Sequence, residues 1–192
     1  RAYPVYVLLV FRLCQNHMVY VHPNALRLVS HKLDVKNAML PKDKQANSIF
    51  MNILCGEKPE QALMLLNEAG VFGRFMPDFG RVVAQMQYDM YHVYTVDEHT
   101  IRAIGIVNGI ETGRLIDDHP VACALINEIQ SRRALYLSVL LHDIAKGRGG
   151  NHSVLGAEIA EKLGPQLGFN DWEIEIVARL AWNSLSMSRM AY

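Results

Sequence analysis

The sequence predicts an all-α fold, and two observations support this class. Apolar residues recur at helical spacing along most of the 192-residue chain, and Gly, Pro and helix-capping residues separate the segments that carry this pattern. No stretch shows the sustained alternation of apolar and polar residues, with hairpin turns between, that is typical of β-strands. We therefore expect a bundle of helices joined by loops.

A polar break at residues 40–44 divides the chain into an N-terminal helical segment, residues 1–40, and a larger domain, residues 41–192. Beyond the break, Pro59 opens a helix whose apolar residues follow at helical spacing. Gly70 ends this helix, because proline is favoured in a first helical turn and glycine just past the last one.

The next helix begins at Thr95 to Glu98, which have the spacing of a capping box. In such a box the Thr95 hydroxyl accepts a hydrogen bond from the amide of Glu98, and Glu98 reaches back. The helix carries one apolar stripe that faces the core and includes His99. The other residues of this stripe are Ala103, Ile106 and Ile110.

Three further helices follow. The first covers residues 126–146, is apolar on most sides and is therefore expected to be central; the glycine-rich turn at residues 147–150 ends it. The second covers residues 153–163. The third begins with a capping box formed by Asn170 and Glu173 and continues through residue 181.

Composition limits the range of functions. The chain has 19 Lys and Arg against 19 Asp and Glu, so no general attraction to nucleic acid or to an anionic membrane is expected. Cys14, Cys55 and Cys123 are scattered, which argues against a disulfide framework and indicates a cytoplasmic protein. A chain that begins at Arg1 is expected to be a piece of a longer protein, and the sequence leaves its oligomeric state open.

The strongest chemical signal is the end of the predicted central helix, where His142, Asp143 and Lys146 follow an apolar run. A buried carboxylate needs a cation, which is either a metal ion or Lys146. An imidazole beside a carboxylate suits a divalent metal, and His99 on its own inward face is the natural further ligand. The alternatives are an Asp143–Lys146 ion pair and, for His99, a hydrogen-bonded core histidine.

The glycine-rich turn favours the metal interpretation. Gly147, Gly149 and Gly150 let the backbone approach a ligand closely. Lys146 and Arg148 add positive charge, and the following helix presents free amides at its N-terminus. Metal ligands beside a loop suited to phosphate predict a phosphohydrolase, with Arg148 as a contact to the substrate phosphate.

Four strings carry a family resemblance. The sequences NEAGVFGRF (residues 67–75), MYHVYTVDEHT (residues 90–100), RRALY (residues 132–136) and LHDIAKGRGG (residues 141–150) resemble those of bacterial PII uridylyltransferase/uridylyl-removing enzymes. The resemblance implies an HD domain, a helical bundle of the metal-dependent phosphohydrolase type. It also implies the activity of that domain, which is removal of uridylyl groups from the PII nitrogen-signalling protein by metal-assisted hydrolysis.

The resemblance implies roles for individual residues. The metal ligands are expected at His99, His142 and Asp143, with Mg²⁺ or Mn²⁺ as the metal. Lys146 is expected to contact the phosphate or to stabilise developing charge. His152 falls on the histidine that follows the glycine turn and is expected to be a second ligand or to orient a water molecule.

The sequence departs from the family at two positions and leaves two alternatives open. Ser184 stands where a histidine is usual, Asn151 where an aspartate is common, and the last metal-binding aspartate is expected beyond Tyr192. The isolated chain is therefore expected to bind metal weakly. The alternatives are hydrolysis of a free nucleotide and a catalytically impaired HD domain that serves as a regulatory or docking module.

Overall fold

The computed structural model describes residues 4–32, 43–85, 94–146, 148 and 152–190, and within these ranges every regular element is a helix. The α-helices are α1 Pro4–His17, α2 Pro23–Lys32, α3 Lys44–Leu54, α4 Pro59–Glu68, α5 Val71–Phe75, α6 Pro77–Gly80, α7 Val96–Glu111, α8 Pro120–Leu125, α9 Arg132–Leu141, α10 His152–Leu163 and α11 Asp171–Met190. The all-α prediction is confirmed. None of the described helices combines the length and apolar character that crossing a membrane requires.

Several predicted helix ends are confirmed. Helix α4 begins at Pro59, and Gly70, with φ +66°, lies just past its end. The capping box before α11 is formed, because the amide of Glu173 donates to Asn170 Oδ1 (2.9 Å) and the amide of Asn170 donates to Glu173 Oε2 (3.2 Å). The domain boundary predicted between residues 40 and 41 lies outside the described residues and stays a prediction.

The helix predicted over residues 126–146 is wrong at both ends. Residues 126–128 form a short 3₁₀ turn, and only residues 132–141 form α9. The helix starts late because the hydroxyl of Ser131 accepts a hydrogen bond from the amide of Ala134 (3.3 Å) and so caps the first turn. Tight turns replace the helix after residue 141.

The capping box and the apolar stripe predicted for α7 are also wrong. Thr95 makes no side-chain capping bond, and the side chain of Ile106 is 48% exposed. The helix instead packs through small and polar residues: Gly105 lies against Glu60, and Asn108 Nδ2 donates to the Tyr136 hydroxyl (3.3 Å). The buried face consists of Val96, Asp97, Thr100, Ile101, Ile104, Gly105, Asn108 and Gly109.

The apolar core is continuous, and α9 lies at its centre as predicted. Helix α9 contacts α3, α7, α10 and α11, and Tyr136, Leu137 and Leu140 are completely buried. Helix α1 joins the same core, because Leu8 and Phe11 are buried where α1 packs on α3 and α4. The site described below therefore lies at the end of a helix with several fully buried apolar residues.

Helices α5 and α6 pack backbone to backbone at Gly73 and Gly80. A Cβ atom at Gly80 would lie 2.8 Å from the carbonyl oxygen of Gly73, and one at Gly73 would lie 2.8 Å from the Cα of Gly80. The approach brings Phe72 and Phe79 into a stack with ring centroids 3.9 Å apart. Side chains at either glycine would force the two helices apart.

We predict that Gly80→Ala lowers the free energy of unfolding by about 1–3 kcal/mol, because the added methyl group meets backbone rather than a movable side chain. Gly156→Ala is the matched control, since its Cβ would lie 3.6 Å from the nearest atom, the Cβ of Ala181. Alanine is also the better helix former by about 1 kcal/mol, so this variant should be as stable as the parent or more so. Urea unfolding measures both, and equal losses in the two variants would contradict the prediction.

Helices α7 and α9 are joined by the Glu111 brace, which consists of Glu111, Arg132 and Tyr136. The Tyr136 hydroxyl donates to Glu111 Oε2 (2.6 Å), and Arg132 donates through Nη2 to Oε2 (2.7 Å) and through Nε to Oε1. The Arg132 bonds outweigh burial and lower the pKa of Glu111, while burial and Glu111 raise the pKa of Tyr136 to about 12. The brace is therefore an ionised carboxylate held by a guanidinium and a neutral phenol.

Acid should weaken this brace. A carboxyl group whose pKa is lower in the folded state stabilises that state above its ordinary value of 4.5, and the contribution is lost as pH falls through the folded pKa. We predict that stability falls more steeply below pH 4.5 in the parent than in Glu111→Gln. The control is Glu175→Gln, which removes a 58%-exposed carboxylate paired with Arg179 and should leave the pH dependence unchanged. Thermal unfolding from pH 3 to 7 measures the difference, and parallel profiles for parent and Glu111→Gln would contradict it.

Candidate metal centre

The C-terminal end of α9 presents His142 and Asp143 side by side. Beyond Leu141 the amides of Ile144 and Lys146 donate three residues back, to the carbonyl oxygens of Leu141 (3.2 Å) and Asp143 (3.0 Å), as in tight turns. Consecutive side chains of a regular α-helix diverge by about 100°. Here His142 Nε2 lies 3.2 Å from Asp143 Oδ2, so the two side chains converge on one point.

Helix α7 brings His99 to the same point. His99 Nε2 lies 3.7 Å from Asp143 Oδ2, and the rings of His99 and His142 are 5.4 Å apart between centroids. One ligand atom from each of the three residues lies within 4.8 Å of the other two. His99 is 35% exposed and Asp143 only 8%, so the set opens to solvent on the His99 side.

Asp97, two residues before His99, fixes the first turn of α7. Its carboxylate accepts hydrogen bonds from Asn67 Nδ2 (2.7 Å) and from the amide of Ala84 (3.1 Å), and it is buried. These bonds tie α7 to α4 and to the turn after α6. Asp97 thereby fixes the position of the helical turn that carries His99. The sequence analysis missed this role because it assigned the segment around Asp97 only to a capping box.

The donor set fits a divalent cation. Two ligand atoms on one metal lie at most about 4.2 Å apart, twice a bond length of about 2.1 Å, and both distances to Asp143 Oδ2 are shorter than this. His142 Nδ1 lies 2.6 Å from the carbonyl oxygen of Val139, which assigns the proton to Nδ1. The lone pair of Nε2 then faces a carboxylate oxygen, so both atoms would be able to serve as ligands of a divalent cation.

Lys146 contacts the same carboxylate oxygen. Its Nζ lies 2.8 Å from Asp143 Oδ2, so the ion-pair alternative and the metal alternative use one atom. Burial alone would raise the pKa of Asp143, but His142 and Lys146 hold it well below its usual range. Burial by itself would lower the pKa of His142, but the Asp143 carboxylate outweighs burial and raises it. The carboxylate is thus ionised and attracts whichever cation is present.

Arg148 lies apart from this set. Its Nη1 donates to Asp78 Oδ1 (2.9 Å) and its Nη2 to the Asp78 carbonyl oxygen (2.9 Å), which ties the turn after α9 to α6. The predicted phosphate contact must compete with this pair and stays a prediction. His152 is the first residue of α10, and its side chain, like that of Ser184, lies outside the described part of the structure.

Comparison with protein families matches the N-terminal and C-terminal parts of the chain to two different families. Residues 1–75 match the family described as uridylyltransferase GlnD third domain. Residues 96–191, half of the chain, match the family described as HD domain. The chain belongs to the HD domain family. Domains of this family are metal-dependent, and the His99, His142 and Asp143 set lies within the matched residues.

The HD domain and the segment before it have close relatives among curated bacterial proteins. The chain is 54% identical over 193 residues to a protein of Rhodospirillum rubrum, a match that covers all of this chain and 20% of the relative. It is 54% identical to a protein of Azospirillum brasilense and 52% identical to one of Novosphingobium aromaticivorans, covering 98% of this chain and 20% and 21% of those proteins. All three relatives are named bifunctional uridylyltransferase/uridylyl-removing enzyme, and the chain spans about a fifth of their length.

We predict that Asp143→Asn weakens manganese binding by at least about 100-fold, because outer-shell changes alone cost about 10–100-fold and this one removes a ligand charge. Asp78→Asn is the control, since it removes a carboxylate that pairs with Arg148 and lies outside the donor set. Lys146→Met should leave the affinity unchanged or raise it, because a competitor for Oδ2 is lost. Titration of the purified chain with Mn²⁺ measures the affinity of all three variants. Unchanged affinity in Asp143→Asn would contradict the metal site and would leave Asp143 as the ion-pair partner of Lys146.

Proposed function

We propose that this chain is the hydrolytic domain of a cytoplasmic, bifunctional uridylyltransferase/uridylyl-removing enzyme and that it removes uridylyl groups from the PII signal protein. The observation that carries the proposal is the convergence of His99, His142 and Asp143 at the end of α9. Hydrolysis of a uridylylated tyrosine is a phosphodiester cleavage, for which a metal-binding set of two imidazoles and a carboxylate is suited. The names of the relatives support the uridylyl group as substrate.

The metal is proposed to be Mn²⁺ or Mg²⁺, held by His99, His142 and Asp143. A bound divalent cation supplies Lewis acidity towards the phosphoryl group and lowers the pKa of water. The protein orients the ligands: the carbonyl of Val139 holds the His142 ring, and the bonds of Asp97 hold the turn that carries His99. The partly exposed His99 side leaves room for a substrate phosphate to approach.

Lys146 is proposed to act at two stages. Without a metal ion its ammonium group neutralises Asp143 at 2.8 Å. With His99, His142 and Asp143 holding a divalent cation, Asp143 would no longer need the ammonium group, and the 31%-exposed Lys146 side chain would be able to turn towards solvent. It then stabilises the negative charge that develops on the phosphate oxygens. His152, at the start of α10, is proposed to orient water or to complete a second metal position.

The test uses the full-length parent enzyme with uridylylated PII, Mn²⁺ and a measurement of released uridine monophosphate. His99→Ala and Asp143→Asn should each reduce release by at least about 100-fold. Lys146→Met should reduce release while manganese affinity is retained. The uridylyl-transferring activity that the relatives' names imply is the internal control for folding, and it should be unchanged in all three variants.

Three outcomes would contradict the proposal. Full release in His99→Ala or Asp143→Asn would place the chemistry elsewhere. Equal turnover of free nucleotides and uridylylated PII would favour the free-nucleotide hydrolase. A parent enzyme whose HD domain binds no manganese, and whose release of uridine monophosphate is absent with or without added metal, would support the docking module instead.

A further inference from the structure

A second cleft lies at the opposite end of the α7–α9 pair from the metal centre. Its volume is about 500 Å³, within the range of small-molecule sites. Glu111 lies twelve residues after His99 along α7, a rise of about 18 Å, so the cleft and the metal centre are separate. The charged side chains that line it are Arg12, Glu57, Lys58, Glu111, Arg114 and Arg132.

Three of these cations converge from different parts of the fold. Arg12 comes from α1, Lys58 from the residue before α4, and Arg114 from the turn after α7. Among the described residues none of the three has a carboxylate within 4.0 Å, whereas Arg132 is paired with Glu111. Glu57 is the other acid in the lining, so positive charge exceeds negative charge in a chain whose formal net charge is zero.

Arg12 is held in place rather than extended into solvent. Its Nη1 donates to Gln15 Oε1 (2.9 Å), and Gln15 Nε2 donates to the carbonyl oxygens of Ile53 (3.0 Å) and Glu57 (2.7 Å). A Cβ atom at Gly56 would lie 2.5 Å from the same Nη1, so a glycine there lets the guanidinium group approach the backbone. The hydrogen bonds of Gln15 therefore fix one cation at the wall of the cleft.

Lys58 is held in an unfavourable backbone conformation. Its φ is +45° and its ψ 54°, in the left-handed region that residues with a Cβ atom rarely adopt. Glycine or asparagine would be the ordinary choice at such a position. The chain thus carries a lysine, with its ammonium group at the cleft, at a position where the backbone favours glycine.

We propose that this cleft binds a small polyanion that carries phosphate groups. Three cations without carboxylate partners among the described residues line one cleft, and a bound anion would compensate their positive charge. Guanidinium and ammonium groups bind phosphate oxygens through charge-assisted hydrogen bonds. The amide of Asn108 adds a neutral polar group to the same wall. The site is independent of the proposed hydrolysis, because none of its residues belongs to the metal centre.

The test is calorimetric titration of the purified chain with inorganic pyrophosphate, in the presence of a chelator so that the metal centre takes no part. We expect saturable binding that weakens as salt is raised. Lys58→Gly removes the ammonium group while favouring the native backbone conformation, and it should weaken binding about tenfold. Arg114→Gln should do the same, and the two changes together should weaken binding further.

Arg179→Gln is the matched control, since it also removes one positive charge, from an exposed pair on α11 outside the cleft. It should bind pyrophosphate like the parent. Absence of pyrophosphate binding in the parent would overturn the proposal. Equal losses in Lys58→Gly and Arg179→Gln would also overturn it, because they would show a response to net charge rather than to this cleft.

Discussion

The buried carboxylate of Asp143 is the constraint on which this end of the molecule depends. It lies just past the C-terminal end of α9, where the partial negative charge of the helix dipole disfavours an anion. It is also only 8% exposed, so water does little to stabilise it. His99, His142 and Lys146 all converge on its Oδ2 atom. A buried carboxylate that needs a cationic partner thus lies directly after the central helix.

The geometry around this carboxylate depends on the antiparallel pair formed by α7 and α9. At one end the Glu111 brace joins the C-terminus of α7 to the N-terminus of α9. At the other end Asp97 fixes the start of α7, and the tight turns after Leu141 direct His142 and Asp143 towards His99. The site therefore depends on two braced helices, and its residues are positioned by groups outside the donor set.

Sequence reasoning was most successful where local chemistry decides the structure. Pro59 and Asn170 mark helix starts by local chemistry. Proline fixes its own φ at a helical value, and the asparagine side chain accepts a hydrogen bond from an amide three residues later. It failed where a competing contact decides: Ser131 caps a shorter helix than the apolar pattern indicated. The Arg148–Asp78 pair joins residues 70 positions apart, and the Val139 carbonyl that orients His142 carries no sequence signal. Such contacts exist only after packing.

The position of Lys146 bears on how the protein is made. Because its ammonium group already compensates Asp143, the chain can fold and leave the ribosome with its core complete before any metal ion arrives. Metal uptake is then an exchange of one cation for another and not a condition of folding. A cell short of the metal ion would keep a folded reserve of this domain, able to bind the ion when it returns, instead of losing it to proteases that recognise unfolded chains.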